Sequence, residues 1–273
     1  MTETILVATD GSPAGNAAER FGVTLAARLR SRVAGITVVE DSATRPPDDS
    51  QLSLPAFPEA ELAAYYRARA DALAARFGER ARAEGIDAGC EISQGQADDR
   101  IVEKAQGFDL LALGRDGRPG DASGALIGAN AESIIRKTSR STLVVPHGAS
   151  LGGPSVLGFD GSPGSRIAAS TAVEFSNALG EPVHVFVDSK DKGRAVARFE
   201  EARQLLGTLT QPMRETSSPL GRPDVKLVDT ARDAKAGLIV MGAFGRNRIT
   251  DFFLGSNAAA VVRTAPVAVL LAR

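Results

Sequence analysis

TILVATDGSPAGNAAERFGVTLAARL, residues 4–29, is answered by SVLGFDGSPGSRIAASTAVEFSNAL, residues 155–179. Each reads as a short apolar strand, then Asp-Gly-Ser-Pro, then a helix with an alanine-rich apolar face. Asp10 and Asp160 stand 150 positions apart. Internal self-similarity over such a distance signals a duplicated unit rather than one irregular domain.

The rest of the chain continues the pairing. GITVVED (35–41) matches PVHVFVD (182–188), each a strand ending in an acid. FDLLALGRDGRPG (108–120) matches AGLIVMGAFGRNR (236–248), and STLVVPH (141–147) matches APVAVLLAR (265–273). Gly114 and Gly242 are 128 positions apart, so the second copy is shorter, mainly between its second and third strands. The Gly- and Ser-rich stretch HGASLGGPS (147–155) reads as a linker. Strands alternating with helices, several of them apolar throughout, predict βαβ units and parallel sheets covered on both faces. The expected class is α/β, with two tandem doubly wound parallel-sheet domains over 1–147 and 154–273.

Composition narrows the function classes. The 273 residues carry 32 basic and 33 acidic side chains, which predicts no basic face for nucleic acid. With no Trp and two Tyr, the chain is poorly equipped to stack bases. Cys90 is the single cysteine, so no intrachain disulfide forms, as befits a reducing compartment. The N-terminus enters a strand pattern without a leader-like segment, and no apolar run is long enough to span a bilayer. The expected location is the cytoplasm.

In doubly wound sheets, ligands bind beyond the carboxyl ends of strands. Asp160, Asp188 and the loop after Met241 gather at that end in the second copy. The loop carries Gly242, Gly245, Gly255 and Ser256 in the spacing Gly-x2-Gly-x9-Gly-Ser. Glycine lets backbone N–H groups approach phosphate closely, and a helix starting at Gly255-Ser256 offers free N–H groups and a favourable dipole. Asp-Gly-Ser-Pro also has a structural reading, with Ser12 or Ser162 capping a helix and Pro13 or Pro163 at its first position. Gly-x4-Gly-Lys-Ser/Thr is absent, and no Gly-rich fingerprint follows the first strand. His147 and His184 lack metal-ligand partners in spacing, and Cys90 reads as a packing residue. Arg246 and Arg248 are expected to be exposed, within reach of a triphosphate.

On these features the chain resembles the tandem universal stress proteins over nearly its whole length. That resemblance implies ATP binding through the second copy by Asp160, Val185, Met241, Gly242, Gly245, Gly255 and Ser256, with Mg2+ beside the phosphates. It also implies a pseudo-dimer through STLVV and VAVLL, and leaves a homodimer and a protein partner open. The first copy departs from the pattern. Ten residues separate Gly117 from Gly128, Ala129 stands in the serine position, and Asp116 and Asp121 lie in the loop. The expectation is one ATP site per chain, any hydrolysis being slow for want of a poised general base. The rival readings are a nucleotide-independent interaction protein and a slow ATP hydrolase.

Overall fold

The computed structural model describes residues 1–40, 59–116, 127–243 and 254–273. The first half runs β1 (Thr4–Ala8), α1 (Pro13–Leu29), β2 (Arg32–Val39), α2 (Glu59–Ala83), β3 (Cys90–Gln94), α3 (Ala97–Ala105), β4 (Leu110–Gly114), α4 (Ala129–Lys137) and β5 (Ser141–Val145). The second runs β6 (Ser155–Gly158), α5 (Pro163–Leu179), β7 (Val183–Asp188), α6 (Lys192–Leu205), β8 (Met213–Ser218), α7 (Pro223–Asp233), β9 (Leu238–Gly242), α8 (Ser256–Thr264) and β10 (Ala268–Ala272).

The strands form one ten-stranded sheet in the order β3-β2-β1-β4-β5-β10-β9-β6-β7-β8. Each half therefore repeats the same order outward from a central seam. Pairing is parallel within both halves and antiparallel only at the seam, where Val144 faces Val269 and Leu143 faces Leu270. The pairing through the last strands follows from their content. Thr142–Val145 and all of β10 are buried, so neither strand is built as a solvent-facing edge.

Helices cover both faces. Phe21, Phe77, Phe175 and Ala202 bring α1, α2, α5 and α6 onto one face, while Ile101, Ile135, Leu227 and Val261 bring α3, α4, α7 and α8 onto the other. Each apolar layer runs across the seam, so the halves share their core.

The repeated Asp-Gly-Ser-Pro builds the same turn twice. The Oδ1 atoms of Asp10 and Asp160 accept from the backbone N–H of Ser12 and Ser162, both at 2.9 Å. The intervening Gly11 (φ 78°) and Gly161 (φ 73°) adopt the left-handed region that glycine tolerates. Ser12 and Ser162 then cap their helices by accepting from Gly15 N–H (3.0 Å) and Ser165 N–H (3.2 Å), with proline at the first helical position.

The halves diverge beneath the first helix. Glu19, wholly buried on α1, accepts hydrogen bonds from Thr9 Oγ1, from Arg76 and, at 2.6 Å, from Arg80 Nη1. The corresponding positions of the second half hold Phe159 and Ala169, both buried. One half thus joins its first and second helices through a buried ion-pair cluster, and the other fills the equivalent positions with apolar groups.

Candidate functional site

At the carboxyl end of the second half, between β6 and β9, the strand order reverses and a cavity of about 710 Å3 opens. Asp160 from the first turn, Met241 and Gly242 from the end of β9, and Gly255 and Ser256 from the start of α8 all line it. These five residues span nearly a hundred positions of sequence and converge on one space. Phe186, Leu227 and Val261 supply an apolar wall, and Lys190 and Arg194 add cationic groups. Asp188 also lines it, accepting from Gly221 N–H at 3.3 Å. Asp191 caps α6, accepting from Arg194 N–H at 2.7 Å, and Asp224 lies in the first turn of α7.

Val185 is not in the lining. It is wholly buried among the residues packed against α5 and α6. Successive strand residues face opposite sides of a sheet, and on β7 the cavity side belongs to Phe186. Among the expected site residues, Val185 thus lies one register position from the side chain that reaches the cavity, Phe186. Gly245, Arg246 and Arg248, like Gly117 and Asp121 of the first copy, lie outside the described residues.

The two remaining glycines act differently. A Cβ on Gly242 would sit 2.7 Å from the backbone carbon of Gly164 and 3.0 Å from Ser165 N, so this glycine lets β9 pass close beneath the first turn of α5. Gly114 meets the backbone of Ala14 and Gly15 in the same way, also at 2.7 Å. Packing alone thus accounts for glycine at 114 and 242. Gly255 is different, with φ −57° and ψ 142°, which any residue adopts. Among the described residues no side chain caps α8, in contrast with α1 and α5, so its first-turn N–H groups have no such partner there at the cavity wall.

The first half has a corresponding cavity of about 270 Å3. Backbone pairing fixes the equivalences: Gly128 N–H donates to Arg115 O (2.9 Å), as Gly255 N–H donates to Ala243 O (3.1 Å). Ala129 consequently occupies the position of Ser256. Asp10, Glu40 and Asp116 line this cavity, and no Lys or Arg does so among the described residues. Glu40 corresponds to Lys190, a reversal of charge at the mouth, and it accepts from Asn130 Nδ2 at 3.1 Å. The pairing of 35–41 with 182–188 in the sequence sets Glu40 against Val187; the matched bonds Thr9 N–H to Ile36 O and Phe159 N–H to Phe186 O shift the register by three and bring Lys190 opposite Glu40.

The other reactive side chains have ordinary surroundings. Burial pushes the Cys90 thiol up to about 12, suppressing its thiolate at neutral pH. His184 Nε2 lies 2.6 Å from Thr216 Oγ1, and burial, followed by the nearby Arg214 charge, lowers its pKa. His147 is exposed, and its backbone N–H donates to Asp116 Oδ2 at 2.9 Å.

Comparison with known proteins agrees with this repeat. The sequence matches the Universal stress protein family over residues 1–146 and again over 155–273. The chain belongs to the universal stress protein family. A universal stress protein of Synechocystis is 27% identical over 168 residues, covering 61% of this chain and 58% of that relative. One from Mycolicibacterium smegmatis is 26% identical over 209 residues, covering 69% of this chain and 70% of its own length. A third, from Thermus aquaticus, is 34% identical over 132 residues, covering 43% of this chain and 96% of the relative. Among solved structures, a universal stress protein from Archaeoglobus fulgidus superposes with a TM-score of 0.78 at 17% identity. That match covers 100% of this chain and 99% of the other. A universal stress protein fold with two tandem units is therefore established for this chain.

Proposed function

We propose that this universal stress protein binds ATP in its second half and uses occupancy of that site as a regulatory signal in a stress response. The observation that carries the reading is the convergence of Asp160, Met241, Gly242, Gly255 and Ser256 on one cavity at the strand-order reversal. The N-terminus of α8, with the Ser256 hydroxyl beside it, suits phosphate oxygens. The apolar wall containing Phe186 and Leu227 suits a base, and Asp160 and Asp188 are acceptors suited to sugar hydroxyls. Each of these carboxylates already holds a backbone N–H through Oδ1.

Mg2+ belongs to the same proposal as a companion of the nucleotide. Among the described residues no group of three or more His, Cys, Asp or Glu is placed to hold a metal. This donor set suits a cation whose ligands are chiefly phosphate oxygens and water, as is usual for nucleotide-bound Mg2+. The proposed setting is the cytoplasm, and among the described residues no helix is long and apolar enough to cross a membrane.

The test is calorimetric titration of the full chain with ATP and Mg2+, alongside phosphate release under turnover conditions. Saturable binding with negligible release is expected. Absence of binding at millimolar ATP refutes the proposal in favour of a nucleotide-independent interaction protein. Sustained phosphate release replaces a regulatory binder with a hydrolase.

A further inference from the structure

Two arginines cross the seam, each from a position that its own repeat does not duplicate. Arg115 follows β4 in the first half. Its Nη1 donates to carbonyls at the C-terminal end of α8 in the second half: Ala265 at 2.7 Å, Arg263 at 3.3 Å and Val262 at 3.5 Å. Its Nε donates to Asp116 Oδ1 at 2.7 Å, which fixes the plane of the guanidinium. Arg273, following β10, does the reverse. It donates to the carbonyls of Thr138 and Ile135 at the C-terminal end of α4 in the first half. The equivalent residues are Ala243 and Pro146, as the matched bonds Arg115 N–H to Val145 O and Ala243 N–H to Ala272 O establish. Neither can make such a clamp.

Both clamped helices begin at a cavity. The first turn of α8 lines the large cavity of the second half, and that of α4 lines the small cavity of the first. We propose that Arg115 is a positioning residue for the second half's nucleotide site, an inference resting on the reading that ATP binds there. A helix of nine residues is a short rigid rod, and holding its C-terminal carbonyls sets where its N-terminal N–H groups point. A positive charge at the C-terminal end also complements the helix dipole. Arg115 is mostly buried, with 14% of its side chain exposed, so little water competes for these bonds. The first half thereby takes part in nucleotide binding without touching the nucleotide.

The arrangement supplies its own control. Arg115→Ala and Arg273→Ala each remove a buried cross-seam clamp, but only the first frees the helix that lines the proposed ATP site. ATP affinity is measured by calorimetry and stability by melting without nucleotide. Arg115→Ala is expected to weaken ATP binding by about threefold to tenfold, and Arg273→Ala to change it by less than about twofold. Arg115→Lys is expected to fall between wild type and Arg115→Ala, because one ammonium cannot hold three carbonyls and Asp116 together. Equal losses of affinity in the two alanine variants, or none in Arg115→Ala, overturn the proposal. Should Arg115→Ala fail to fold, wild-type affinity in Arg115→Lys overturns it. A wild-type chain that binds no ATP removes the functional reading and this inference together; a wild-type chain that binds ATP while Arg115→Ala is unchanged removes the inference alone.

Discussion

Replacing both Arg76 and Arg80 with methionine strips the cationic partners from Glu19 while keeping most of their apolar stems. In the native chain the Glu19 side chain is 0% exposed, whereas those of Arg76 and Arg80 are 33% and 23% exposed. Without them, the carboxylate keeps only the Thr9 hydroxyl as a donor among the bonds described. Removing the partners of a buried charge typically costs about 3–5 kcal/mol, and a loss of that size is expected here, measured by urea denaturation at pH 7. Adding Glu19→Ala, which installs the alanine of position 169, should recover most of the loss. A deficit below about 1 kcal/mol at pH 7, or no recovery on adding Glu19→Ala, refutes this account of the cluster.

Three further outcomes are expected. Gly255→Val should fold normally, since φ −57° strains no residue, yet ATP should bind more than about tenfold more weakly as the added side chain crowds the helix start; unchanged ATP affinity in the folded variant would exclude a phosphate cradle there. Calorimetry should count one ATP per chain, because the first cavity is smaller, has alanine in place of Ser256 and presents Glu40 where the second presents Lys190; two equivalent sites would contradict this. The lowered His184 pKa means that the unfolded chain takes up this proton first, so its contribution to stability is complete above pH 6.5 and lost as pH falls toward the folded value. Wild type should therefore lose more melting temperature between pH 7 and pH 5 than His184→Gln, and equal slopes would count against it.

The fold was legible because its signals are local and doubled. An apolar strand, Asp-Gly-Ser-Pro and an alanine-rich helix occur twice, and each instance builds the same turn. The site was legible where glycine, serine and aspartate sit at strand ends, as Asp160, Gly255 and Ser256 show. The side chain of Val185 lies in the core and that of Phe186 in the cavity, because side chains alternate along a strand and a shift of one position exchanges the two. Gly242 was found for an incomplete reason, since its lack of a side chain is required by the backbone of α5. The crossing arginines left no readable trace. Arg115 and Arg273 meet helices 147 and 135 positions away in sequence, and no periodicity encodes contacts through the seam.

The covalent join between the halves has a consequence for how the molecule can vary. In a symmetric homodimer every substitution appears on both sides of the axis, so one surface must satisfy both roles at once. Here the axis relates positions whose residues differ. Arginine stands at 115 opposite alanine at 243, glutamate at 40 opposite lysine at 190, and a buried acid at 19 opposite alanine at 169. A single chain therefore frees each copy to change alone, so that one can serve as scaffold while its twin keeps the pocket.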